Sequence, residues 1–125
     1  MATTNLTLDQ FESTISADGI VIIDFWAAWC GPCQRFGPTF EAASDANTDI
    51  VFAKVDTEAE QQLAASLQIR SIPTLMLFRD GILLFNSPGA LSAAALDDLI
   101  SQARALDMDA VRAEAAEMEA QQGSA

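Results

Sequence analysis

The chain has 125 residues, half of them hydrophobic, which is enough for one domain with its own core and no disulfide staples. Six basic residues against 18 acidic ones give a formal net charge of −12, which argues against a surface for nucleic acid or anionic lipid. Histidine is absent, which removes Ser-His and Cys-His catalysis and most zinc chemistry.

The first five residues carry no positive charge and no apolar run, so no signal peptide is read there. No stretch approaches the roughly 18 apolar residues of a membrane helix. A cytoplasmic protein in a reducing compartment is expected.

Residues 8–15 place Leu8, Phe11 and Ile15 on one helical face, and Asp18-Gly19 ends that helix. Residues 20–27 are a nearly continuous apolar run rich in β-branched side chains, as in a strand buried on both faces. Pro32 suits the first turn of a helix that runs to about residue 46, with a kink expected at the internal Pro38. Residues 50–55 read as a second buried strand, 57–67 as a helix and 74–78 as a third strand. Asp80-Gly81 marks a hairpin, with 82–85 as the returning antiparallel strand and a break at Pro88-Gly89. Ser92 can cap a last helix carrying Leu96, Leu99, Ile100, Ala103 and Leu106.

With a short first strand near residues 4–6, the order predicts an α/β fold: a mixed central sheet flanked by helices on both faces. Strand-helix-strand crossovers imply parallel pairs, and the hairpin adds an antiparallel one. The domain is expected over 1–106. Residues 107–125 form a separate Ala/Glu-rich acidic tail whose apolar stripe, Met108, Val111, Ala115 and Met118, is thin. One long helix from Ser92 and a second helix broken near Asp107 are equally compatible with it. A solvated helical or frayed tail is expected, with a partner-docking or intramolecular role as the alternative.

The chemistry concentrates in Trp29-Cys30-Gly31-Pro32-Cys33, after a buried strand and at a helix start. A lone CxxC also occurs in zinc sites. Zinc needs about four ligands, so a metal site here would have to be shared between chains or recruit carboxylates. Redox chemistry accounts for more of the positions. Two cysteines at this spacing close a small disulfide ring with little backbone movement. Unpaired N–H groups and the helix dipole favour a thiolate at Cys30, which makes it the nucleophile. Cys33, one turn further in, is expected to be the more buried of the two. Pro32 limits the loop's conformations and favours the dithiol.

The segment from Asp24 to Cys33, together with Ile72-Pro73-Thr74 and Gly89-Ala90-Leu91, resembles the signature of thioredoxins over residues 3–106. The resemblance implies that Cys30 attacks a substrate disulfide and that Cys33 resolves the mixed disulfide. It implies that Asp24 accepts the Cys33 proton and that Lys54 modulates Asp24. It implies that Pro73 is cis opposite the cysteines, with Ile72 offering backbone groups to an extended substrate. Trp29, Gly31, Pro32, Ile72, Pro73, Gly89 and Ala90 would form a flat apolar substrate patch. Thioredoxin reductase, drawing on NADPH, and disulfide-containing proteins would be the partners of a monomer that needs no cofactor beyond the Cys30–Cys33 pair.

Bland readings stand beside these. A strand-end charge facing water is the alternative for Asp24, although alternation puts it with Ile22 on a buried face where desolvation raises a carboxylate's pKa. Lys54 can snorkel outward, Trp29 can be core, and most X-Pro bonds are trans. Three departures from the family pattern are Ala28, where many members have a charge or a proline, Gln34, where lysine is frequent, and Pro88, where a β-branched residue is usual. Two other functions compete: a secretory oxidant or isomerase, and a redox-inert binding module using the acidic tail.

Overall fold

The computed structural model describes residues 2–123; residue 1 of the expected domain and residues 124–125 of the expected tail lie outside them. The elements are β1 (Thr3–Asn5), α1 (Leu8–Ile15), β2 (Ile20–Trp26), α2 (Gly31–Ala46), β3 (Val51–Asp56), α3 (Gln61–Ser66), β4 (Thr74–Arg79), β5 (Ile82–Pro88), α4 (Ala93–Ala105) and α5 (Met108–Gly123). The five strands form one sheet in the order β1-β3-β2-β4-β5.

β2 lies at the centre, which is why its sequence is apolar on both faces. Val21, Ile23 and Phe25 pack with Phe11, Val55, Leu63 and Phe78 on the side of α1 and α3. Ile20 and Ile22 pack with Phe36, Phe40, Phe52, Leu96 and Ile100 on the side of α2 and α4. Strand alternation therefore puts Asp24 on the α2 side. Phe40 is fully buried and meets Phe52 edge-on at 5.2 Å. Cutting such a side chain to alanine costs about 3–5 kcal/mol.

β1, β3 and β2 run parallel, but β4 runs antiparallel to β2. The expectation of parallel pairs at every crossover is thereby corrected. Trp26 pairs with Asp56 at the end of β3, and Phe25 pairs with Thr74 at the start of β4. Residues 57–73 thus begin and finish at the same end of the sheet. A six-residue helix spans only about 9 Å, too little to carry the chain back to the other end. α3 is also shorter than the helix expected over 57–67. Its preceding turn is held by Asp56, whose Oδ1 accepts from Glu58 N at 2.9 Å.

β5 is longer than expected. It continues to Pro88, paired with Thr74, after a bulge opposite Leu77 and Phe78. Proline is tolerated there because β5 is an edge strand. Ser92 caps α4 through Ala95 N at 3.1 Å. Arg79 closes the other end, its Nη1 donating to Ala103 O at 2.7 Å and to Arg104 O and Leu106 O at 3.3 Å. These are carbonyls that a helix C-terminus leaves unpaired.

The chain breaks at Leu106-Asp107 and starts a second helix, so α4 and α5 are not one rod. Asp107 Oδ1 accepts from Asp109 N and Ala110 N. The solvated-tail expectation is corrected at its start. Met108 is buried, and Arg112 pairs with Asp80 on the β4–β5 hairpin at 3.3 Å. From Ala116 to Gln122 α5 is exposed.

Candidate functional site

Cys30 sits at the end of a short turn after β2, where its N–H donates to Ala27 O at 3.2 Å. It is the N-cap of α2, with extended backbone, and its Sγ accepts from Cys33 N at 3.1 Å. Pro32 lies in the first turn, where a missing N–H breaks no helix bond. Cys30 and Cys33 form a disulfide across a Cα–Cα distance of 5.2 Å.

Both cysteines are 4 % exposed. The expectation of an exposed Cys30 above a more buried Cys33 is corrected. In the disulfide, Cys30 Sγ turns inward toward Cys33 and lies 3.7 Å from Ile72 O, with Ala27, Trp26 and Ile72 packed around the pair. What faces solvent is the surround: Gly31, Pro32, Gly89 and Ala90 are exposed, and Trp29 is 71 % exposed. Trp29 is therefore not core. Its Nε1 donates to Glu58 Oε1 at 2.5 Å.

The Ile72–Pro73 bond is cis. Ile72 is half-buried beside the cysteines, but Pro73 is buried, so it contributes backbone rather than surface to the expected patch. Gly89 N donates to Pro73 O at 2.8 Å, which ties the loop after β5 to this segment. Gly89 has φ +108°, a conformation that a side chain disfavours.

Asp24 is 1 % exposed, and neither carboxylate oxygen has a hydrogen-bond partner among the described residues. Burial pushes its pKa up from 3.8 to about 7, while the Lys54 charge pulls the other way. Lys54 is Asp24's register partner on β3. Its Nζ lies over the Trp26 ring, 5.1 Å from the centroid, so it neither snorkels away nor caps the carboxylate. Trp26, Lys54, Cys33, Gln34, Gly37 and Pro38 line one cleft of about 280 Å³. The structure thus gathers Cys33 and Lys54 at this cleft, with Asp24 on the same sheet face. Trp29, Gly31, Pro32, Gly89 and Ala90 lie outside it.

The thioredoxin family model matches residues 2–102. The chain belongs to the thioredoxin family. A thioredoxin-named relative from Streptomyces coelicolor is 54 % identical over 122 residues, covering 98 % of this chain and 91 % of its own. A Mycoplasma genitalium thioredoxin is 38 % identical over 101 residues, covering 81 % and 99 %. The Malassezia sympodialis thioredoxin structure superposes with a TM-score of 0.73 at 37 % identity, covering 82 % of this chain and 93 % of that one. With the Cys30–Cys33 pair at disulfide distance, the chain is a protein dithiol–disulfide oxidoreductase of this family.

Two contacts escaped the sequence reading. One is Glu58 on Trp29. The other is Gln34, whose Nε2 donates to Ala28 O at 2.6 Å. Neither carries a periodicity signal. Among the described residues no group of three or more His, Cys, Asp or Glu could hold a metal, and no helix is long and apolar enough to cross a membrane.

Proposed function

We propose that this thioredoxin-family chain reduces disulfides in other proteins and is itself re-reduced by a flavin-dependent thioredoxin reductase drawing on NADPH. The observation that carries the reading is the cysteine pair at the α2 N-terminus, beside the Ile72 carbonyl and ringed by exposed Trp29, Gly31, Pro32, Gly89 and Ala90. A helix N-terminus favours the Cys30 thiolate. That thiolate attacks a substrate disulfide, the Cys30–substrate bond forms, and one substrate sulfur leaves and takes a proton.

Asp24 then takes the proton of Cys33, directly or through one water, and the Cys33 thiolate attacks Cys30. Its raised pKa suits a base working near neutral pH. Lys54 supplies the opposing charge that keeps that pKa from rising further. Ile72 offers backbone groups for pairing with an extended substrate segment, and Pro73 fixes where they point. The roles of Trp29, Gly31, Pro32, Gly89 and Ala90 are those of a contact surface. The chain works as a cytoplasmic monomer with no bound cofactor, its 1–106 domain sufficient for the chemistry.

Insulin reduction with reductase and NADPH tests this directly. Turnover by the wild-type chain and none by Cys30→Ser is expected. No wild-type turnover, or unchanged turnover after Cys30→Ser, sinks the proposal.

A further inference from the structure

The two departures from the family pattern that flank the cysteines meet in one hydrogen bond. Gln34 Nε2 donates to Ala28 O at 2.6 Å, which closes a loop around Trp29, Cys30, Gly31, Pro32 and Cys33. The Gln34 main chain joins the same loop, its N–H donating to Cys30 O at 3.1 Å. Residue 38 is proline, so the helix has no N–H there to return to the Gln34 carbonyl. The first turn of α2 is therefore short of one of its own ties, and the Gln34 side chain adds another from outside the helix.

The disulfide also ties this loop, from Cys30 to Cys33. That tie opens whenever Cys30 is bonded to a substrate. The Gln34–Ala28 bond involves no sulfur and does not require that disulfide. We propose that Gln34 is a positioning residue that holds the 28–34 loop closed in the mixed disulfide, keeping Cys33 within reach of Cys30. The inference rests on the reading of Cys33 as the resolving cysteine.

In the resolving step the Cys33 thiolate attacks the Cys30 sulfur. The Cys30–Cys33 bond forms and the Cys30–substrate bond breaks. The substrate sulfur leaves with the electron pair and takes up a proton. An intramolecular attack of this kind depends on how often the two sulfurs are in line, so a looser loop slows it. The first attack depends on Cys30 alone and is little affected.

The test uses the full-length chain, a disulfide-linked fluorogenic peptide and single-turnover kinetics on wild type, Gln34→Met and Gln34→Lys. Methionine keeps the length and loses the donor, while lysine restores a donor of similar reach. Gln34→Met is expected to slow resolution about threefold, the scale of one neutral hydrogen bond, with the attack rate within about twofold of wild type. Mixed disulfide accumulates in proportion, and Gln34→Lys recovers the wild-type partition. Resolution unchanged in Gln34→Met, both steps slowed equally, or no rescue by Gln34→Lys overturns the inference alone. A wild-type chain that never resolves its mixed disulfide overturns the reductase reading as well.

Discussion

Lys54 stands opposite Asp24 in the parallel register of β3 and β2, yet its ammonium rests over the Trp26 ring and leaves both Asp24 oxygens without a hydrogen bond. A buried carboxylate with no donor is costly as an anion, and this one keeps its proton up to about pH 7. The fold tolerates the cost on the sheet face that α2 covers, where the proposed function gives the carboxylate its use.

The cost has a sign that can be measured. Below about pH 4 both folded and unfolded chains hold the Asp24 proton. Between about 4 and 7 the unfolded chain releases it while the native chain keeps it, so stability falls as pH rises. Above about 7 the penalty is full, on the order of 4 kcal/mol for the shift from 3.8 to about 7. Asp24→Asn in the oxidised protein is therefore expected to be stabilising at pH 8 and near neutral at pH 4. Urea unfolding of both proteins at the two pH values checks it. A stability difference that does not change with pH refutes the assignment.

The same substitution separates the two steps of the reaction. Asp24→Asn is expected to slow release of product from the mixed disulfide by about fiftyfold or more at pH 7, the lower end of what a positioned base contributes, halved because Asp24 is half-ionised there. The first attack by Cys30 changes little. Wild-type resolution rises with pH through about 7, and the variant loses that rise. Single-turnover rates between pH 6 and 8 read both quantities. Equal slowing of the two steps rules out Asp24 as the base for Cys33.

The positions of the strands, the starts of α1, α2 and α4 and the cysteine pair were legible because each is a local pattern, whereas α3 starts four residues later and β5 ends later than their composition predicts. The apolar run of β2, the Pro32 helix entry, the Ser92 cap and the Asp80-Gly81 turn all appear in the structure where their residues predict. Burial of Asp24 followed from its place between Ile22 and Trp26, and the cis bond before Pro73 followed only from the family resemblance. What was not legible involves partners distant in sequence. Periodicity does not say that residues 57–73 return to the same end of the sheet, which sets β4 antiparallel to β2. It also does not pair Trp29 with Glu58, or Arg112 with Asp80 across 32 positions. Helical position alone predicts a more exposed Cys30, but packing by Ile72 and Ala27 covers both cysteines alike.

Gly89 offers a test of the loop that faces the cysteines. A Cβ added there meets no heavy atom within 4 Å, so space is not the constraint. Its φ of +108° is, and a non-glycine residue held there costs about 1–3 kcal/mol. Gly89→Ala is expected to lower the melting temperature or to rotate out of that conformation. Rotation weakens the bond from Gly89 N to Pro73 O and raises KM for a protein substrate. Thermal unfolding and insulin-reduction kinetics on the variant register one effect or the other. Unchanged melting together with unchanged KM contradicts a strained, structural Gly89.

The start of α5 provides the last test, because its stripe is thin but its first turn is anchored. Met108 is buried, and burying a methionine side chain contributes about 1.5–3 kcal/mol. The Arg112–Asp80 pair is partly exposed and screened by solvent, so it adds little. Asp80 Oδ1 also accepts from Gly19 N at 2.8 Å, so the helix reaches a turn that joins the β4–β5 hairpin to the entry of β2. Truncation after Leu106 is expected to cost about 2 kcal/mol, a drop of roughly 8 °C in melting temperature for a chain of this size. Met108→Ala should account for most of it and Arg112→Gln for little. Insulin reduction below the melting range should stay at the wild-type rate, since this contact lies at the Arg79–Asp80 end of β4 and the cysteines face its Thr74 end. Equal melting temperatures for the truncated and full-length chains indicate that α5 is a solvated tail from its first residue. A loss of reductase activity with the fold intact indicates that α5 takes part in substrate or reductase contact.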